Sequence, residues 1–230
     1  MKNTKKKILV VALIISLVAI ISIGSLAWFT AKDEVTNTIK LADDFEITVF
    51  EHNFNDPNTA VTTEGVTYTG IMPGQTIKKD PTVKNTGTHP EWVRVKVTLS
   101  HYDEVWENAI KAGEDGKIHL ENIFTGYDPA IWEQADGDPV VVPAVTEGTP
   151  APSTVTITFY LRNKLEPYSD TTNNQYKLFD SVTIPGELTS EQATAMNGQF
   201  TIKVEAEAIQ AENLDSAITT PQAAFALLGN

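Results

Sequence analysis

Three stretches of this chain alternate strictly between apolar and polar residues, and that alternation limits the fold more than any other feature. "EWVRVKVTLS" (91–100) sets Val93, Val95, Val97 and Leu99 on one face and Arg94, Lys96 and Thr98 on the other. "TVTITFYLRN" (154–163) divides Val155, Ile157, Phe159 and Leu161 from Thr154, Thr156, Thr158 and Tyr160. "QFTIKVEAEA" (199–208) divides Phe200, Ile202, Val204, Ala206 and Ala208 from Thr201, Lys203, Glu205 and Glu207. Successive side chains of a strand leave on opposite faces, so a period of two marks strands with one buried and one wet face, the habit of antiparallel sheets. Further strands are expected at 35–41, 45–50, 66–69, 82–85 and 178–184. So many one-faced strands need a second sheet over their apolar sides, which makes a mainly β, antiparallel β-sandwich the economical fold.

Helical signals are few. "DEVWENAIK" (103–111) offers Asp103 as an N-cap, with Val105, Trp106, Ala109 and Ile110 at helical spacing. "TSEQATAMNG" (189–198) opens on capping residues and closes on Asn197 and Gly198, and "PQAAFALLG" (221–229) suits a short apolar helix against the body. These read as short helices in insertions. Three stretches are loops by composition: 52–65, the Pro-rich 136–153 and 166–175. The Pro-rich stretch is expected as a surface loop rather than a linker, so that 28–230 forms one domain. Pro73 with Gly74 makes a turn pair, Gly supplying the positive φ of a type II turn, and Asn85, Thr86 and Gly87 make another.

Residues 1–7 hold Lys2, Lys5, Lys6 and Lys7 and no acid, residues 8–29 hold no charge, and the small-x-small trio Ser25, Leu26 and Ala27 follows. Basic, apolar, then small is the order of a secretory signal peptide, so 1–27 is expected to be a signal helix cut between Ala27 and Trp28. The same run is long enough to span a bilayer, and the alternative is an uncleaved anchor with Trp28 at the headgroup level. The lysines stay inside in either case, and the remainder is delivered outside. Membrane contact, on the first reading, ends at cleavage.

Cleavage changes the charge. The full chain carries −13; four of its 17 basic residues leave with the signal, so 13 face 30 acids and the remainder is near −17. Nucleic acid and anionic lipid are poor partners for such a surface. With no cysteine, disulfides, thiol chemistry and zinc–thiolate sites are excluded.

Nothing in the spacing singles out a catalytic or metal-binding set. The histidines are His52, His89, His101 and His119, and no pair has the i, i+4 spacing that puts two imidazoles on one helical face around zinc. Exposed or capping roles suit all four. "GEDGK" and "ADGDP" pair acids with glycine but lack the ligand ladder of a calcium loop. No serine has a nucleophile-elbow context. No enzyme activity and no cofactor is expected. Trp92, Trp106 and Trp132 read as core residues, and Arg94 and Lys96 could form cross-strand ion pairs with Glu205 and Glu207 if their strands are neighbours, each worth roughly 0–1 kcal/mol when exposed.

The lysine-rich start, "SLAWFT", "DEVTNTIKLADDFEITVFE", "MPGQTIKKDPTVKNTGTHPEWVRVKVTL" and the ending "FTIKVEAEAIQAEN" together resemble the TasA and camelysin family of exported Gram-positive proteins, whose signal is cut by a dedicated peptidase. About residues 103–176 carry no part of that resemblance. It implies a jelly-roll-like sandwich and, for TasA members, secreted fibres of the biofilm matrix built from copies of one chain, with an accessory matrix protein as a further partner. It also implies that the mature N-terminal segment completes a sheet of the next subunit. Carried over here, the donor is 28–41, with Trp28, Phe29, Val35, Ile39 and Leu41 as its contacts. Lys32, Asp33 and Glu34 interrupt that segment with charge. Two other classes of function stay open: a membrane-tethered surface adhesin with an uncleaved helix, and a camelysin-like secreted metallopeptidase.

Overall fold

The structure, a computed structural model, describes residues 30–34, 37–39, 45–52, 59–62, 65–111, 119–136, 140–142, 153–171, 174–195 and 199–228. Among them the chain begins with β1 (Thr30–Glu34) and β2 (Asn37–Ile39), then β3 (Ile47–Phe50), the hairpin β4 (Thr59–Thr62) and β5 (Gly65–Tyr68), and β6 (Thr76–Lys78) and β7 (Thr82–Asn85). The long β8 (Glu91–Ser100) runs through a π-helical turn (Tyr102–Trp106) into α1 (Glu107–Ile110). Short strands β9 (Phe124–Thr125), β10 (Trp132–Gln134) and β11 (Val140–Val142) precede the long β12 (Thr154–Leu161). β13 (Gln175–Lys177), β14 (Ser181–Thr183), α2 (Ser190–Ala195), β15 (Ile202–Gln210) and α3 (Pro221–Ala226) complete the order. The protein is mainly β, with antiparallel sheets and a few short helices.

β8, β12 and β15 are neighbours at the middle of a seven-stranded sheet, ordered β10, β12, β8, β15, β1, β2, with β11 also paired to β12. Smaller sheets are β13-β7-β3, β6-β14-β9 and the β4-β5 hairpin. The period of two decides the packing. Val93, Val95, Val97, Leu99, Val155, Phe159 and Ala206 have no exposed surface, and one contiguous apolar cluster joins them to Ile47 and Val49 of β3, Val83 of β7, Phe124 of β9 and Val182 of β14. A fully buried side chain of this size stabilises by about 1.5–3 kcal/mol relative to exposure. Trp106 and Trp132 lie inside as expected, each donating its indole N–H to a carbonyl, of Ser100 (3.0 Å) and Lys177 (2.8 Å).

Local chemistry sets the helix ends. Thr189 and Gln192 form a reciprocal capping box at the start of α2: Gln192 N–H donates to Thr189 Oγ1 (3.2 Å), and Thr189 N–H to Gln192 Oε1 (2.8 Å). Thr220 Oγ1 accepts from Ala223 N–H, and Pro221 takes the first position of α3, where its missing N–H costs nothing. α3 lies on the outer face of the large sheet, where Trp92, Ile209, Ala211, Ala224 and Phe225 form a second apolar cluster.

Several elements differ from the sequence expectations. His101, with φ 55, caps the helical segment at Tyr102, ahead of the expected Asp103. The stretch 52–65 contains β4, and the Pro-rich 136–153 contains β11, because β12 offers a bonding edge to Val140–Val142. Lys32, Asp33 and Glu34 do not break a strand; they are part of β1, whose pairing is through the main chain. The expected signal helix, 1–27, lies outside the described residues.

Candidate strand-exchange edge

β1 is the first described segment after the apolar run, and it lies in the large sheet between β15 and β2. It pairs antiparallel with β15, Thr30 opposite Ile209 through Glu34 opposite Glu205. It also pairs antiparallel with β2, Lys32 opposite Ile39 and Glu34 opposite Asn37. Residues 202–204 of β15 pair with β8.

Of the candidate residues, Ile39 falls in β2, while Ala27, Trp28, Phe29, Val35 and Leu41 lie outside the described residues. The structure therefore places one donor candidate, and it places it in a hairpin.

The leader joins the body at Phe45 and Glu46. Phe45 stacks on His89 with centroids 5.3 Å apart, and the Glu46 carbonyl accepts from Thr86 N–H (2.7 Å) and Gly87 N–H (3.0 Å). Next to this root, Glu91 exchanges two main-chain hydrogen bonds with Leu165, and Asn85 Nδ2 donates to the carbonyls of Leu165 and His89. Glu91 has no exposed surface, and neither carboxyl oxygen has a hydrogen bond of ordinary geometry. Burial pushes its pKa up to about 8; the Glu46 N–H works against the rise and the Glu46 carboxylate adds to it.

At the other end of β15 an apolar groove is lined by Ile71, Pro73, Ile184, Leu188, Ala193 and Phe200. The turn beside it is the expected type II turn: Gln75 N–H donates to Met72 O (3.1 Å), and Gly74 has φ 80. Gly74 and Gln75 then bond to Ile184, through Gly74 N–H and Gln75 O, and this fixes one wall of the groove. Met72 stands exposed at its rim.

The outer face of the sheet carries the expected cross-strand ion pairs in a more buried form. Glu207 takes both cations, Arg94 Nε at 2.5 Å and Lys96 Nζ at 3.2 Å, while Glu205 pairs with Lys203 at 2.9 Å. Arg94 also lies 4.5 Å from the centroid of Phe225, so α3 shelters the group from water. Lys79 and Glu51 form a second sheltered pair.

Each histidine stands beside a different carboxylate: His52 beside Asp80 (2.6 Å), His89 beside Glu212 (3.2 Å), His101 beside Glu104 (3.7 Å) and His119 beside Glu121 (2.8 Å). No group of three His, Asp or Glu side chains suited to a metal ion occurs among the described residues. Sequence reasoning missed the groove and the burial of Glu91. Only the apolar Phe200, set just before the charged part of its strand, hinted at the first. Comparison with protein-family models, curated protein sequences and solved structures finds no match to this chain.

Proposed function

We propose that this chain is a secreted structural subunit of extracellular matrix fibres: a jelly-roll-like β-sandwich that polymerises head to tail when the N-terminal strand of one copy completes the large sheet of the next. The observation that carries this reading is the position of β1. It sits outside the central strands and is held against β15 through residues 205–209, and main-chain pairing of this kind can be supplied equally well by another copy. Removing β1 leaves a strand edge over Ala206 and Ala208, both buried, which gives a second copy apolar area to cover as well as hydrogen bonds to make. A head-to-tail contact of this type does not close on itself and grows a filament.

Signal cleavage between Ala27 and Trp28 is the switch in this scheme, because before it the donor is tied to an apolar helix. Signal peptidase is thus an obligatory partner, copies of the same chain are the fibre partner, and an accessory matrix protein can start or anchor the fibre. The test is assembly of protein beginning at Trp28 beside protein lacking 28–41, with circular dichroism confirming that both fold. Filaments in electron micrographs of the first and monomers of the second are expected. Monomers from both, or identical filaments from both, would remove the donor role. Mass spectrometry of exported material is expected to find Trp28 at the N-terminus; a chain still carrying residues 1–27 favours the tethered adhesin.

A further inference from the structure

We propose that Glu91 and Glu46 form a latch at the root of the leader, shut while Glu91 holds its proton and opened when that proton leaves, and that its opening frees β1 for donation. The inference rests on the strand-donation reading and adds what releases the donor.

A continuous set of hydrogen bonds ties the two acids together. The Glu46 carbonyl accepts from Thr86 N–H (2.7 Å), Gly87 N–H (3.0 Å) and Thr86 Oγ1 (3.2 Å). Gly87 N–H also donates to Asn85 Oδ1 (2.8 Å), and the buried Asn85 side chain donates in turn to the carbonyls of His89 (2.8 Å) and Leu165 (2.9 Å). Leu165 exchanges main-chain hydrogen bonds with Glu91, at 3.1 and 2.8 Å. The circuit closes at the Glu46 N–H, which faces the Glu91 carboxyl group. A shift of Glu46 therefore breaks its hold on the 86–87 turn, and a change of charge at Glu91 is felt first at Glu46.

Charge decides when that shift comes. Charged groups on the neighbouring elements meet partners of their own: His89 meets Glu212 (3.2 Å), Lys164 Nζ donates to the Ala211 carbonyl (3.3 Å), and Lys84 Nζ lies over the Tyr168 ring (3.6 Å). The charge that bears on Glu91 is the Glu46 carboxylate, of the same sign as the charge Glu91 would gain. Protonated, Glu91 is a neutral group in a dry site and tolerates this neighbour. Ionised, it is a buried anion without a hydrogen bond of ordinary geometry, set against a second anion. Burial raises its pKa to about 8, so this state arises under mildly alkaline conditions.

The fold decides which side gives way. Main-chain pairing fixes Glu91 to β15, opposite Gln210, and to Leu165. Glu46 instead precedes the four-residue β3, and its carbonyl is held by a turn. Moving Glu46 is the cheapest way to bring water to the anion. β3 lies against both β1 and β15, so a displaced β3 takes away one of the neighbours that keep β1 on its own sheet.

Pulse-labelled hydrogen exchange of the chain starting at Trp28 reads the latch without reference to assembly. Wild type and Glu91→Gln are compared at the same pH, which cancels the intrinsic exchange chemistry. At pH 6 the peptide carrying Thr86 and Gly87 is expected to exchange equally in both. At pH 9 it is expected to exchange about ten-fold faster in wild type, while peptides from β12 stay equal. Glu46→Gln removes the like charge and keeps Glu91; it is expected to shrink the difference, and it serves if Glu91→Gln does not fold. Equal exchange at pH 9, or a rise that includes β12, overturns the latch. Light scattering then reads release: wild type is expected to assemble about ten-fold faster than the variant at pH 9 and at the same rate at pH 6. A latch that opens with no change in assembly overturns its control of the leader. Absence of assembly at both pH values overturns strand donation, while exchange still decides the latch.

Discussion

Glu91 holds its carboxyl group wholly inside the protein, beside the root of the leader, and keeps its proton up to about pH 8. Its ordinary pKa is 4.5. Below about pH 4.5 the folded and unfolded chains both carry this proton; between there and about 8 only the folded chain does, so stability falls as pH rises through that window and levels off above it. The full loss is roughly 3–5 kcal/mol at about 1.36 kcal/mol per pKa unit. Glu91→Gln is expected to remove this slope: urea midpoints at pH 5 and pH 9 should show wild type losing ground to the variant at the higher pH. Equal differences at both pH values would mean that Glu91 does not titrate in this way. Glu207 makes the opposite case, a buried acid on the outer face whose partner Arg94 lies under Phe225 of α3. Glu207→Ala should cost about 2 kcal/mol, since it leaves Arg94 sheltered and unpaired, and Glu205→Ala less than about 0.5 kcal/mol, as for an exposed pair. Chemical denaturation of the two variants separates them; equal losses would argue against the shelter. Neither burial was legible in the sequence, because alternation assigns faces but does not say what lies over the wet one.

At the scale of elements, β1 is paired on both sides, with β15 and with β2, so donating it to another copy means releasing both pairings. The long strands β8, β12 and β15 were readable because each alternates over eight or more residues, and the capping box at Thr189 was readable from its spacing. The strands that escaped, β4, β6, β9, β10, β11 and β13, have two to four residues, too few for a period to emerge. β1 escaped for another reason: its charges obey the main chain's pairing rather than a buried face.

For the whole molecule, the mainly β, antiparallel character followed from the alternating stretches, and α2 begins where its capping residues pointed, whereas the helical segment near Asp103 begins earlier, after His101. The candidate edge was legible only as a location, the segment after the apolar run. Its partner strand is set by pairing between residues far apart in sequence, such as Thr30 with Ile209, and no local pattern encodes that. The most direct test of strand donation is a cryo-electron microscopy map of material assembled from chains beginning at Trp28. Strand donation predicts density for the N-terminal strand of each subunit lying on β15 of its neighbour. A map in which every subunit keeps β1 and β2 on its own β15 would contradict it.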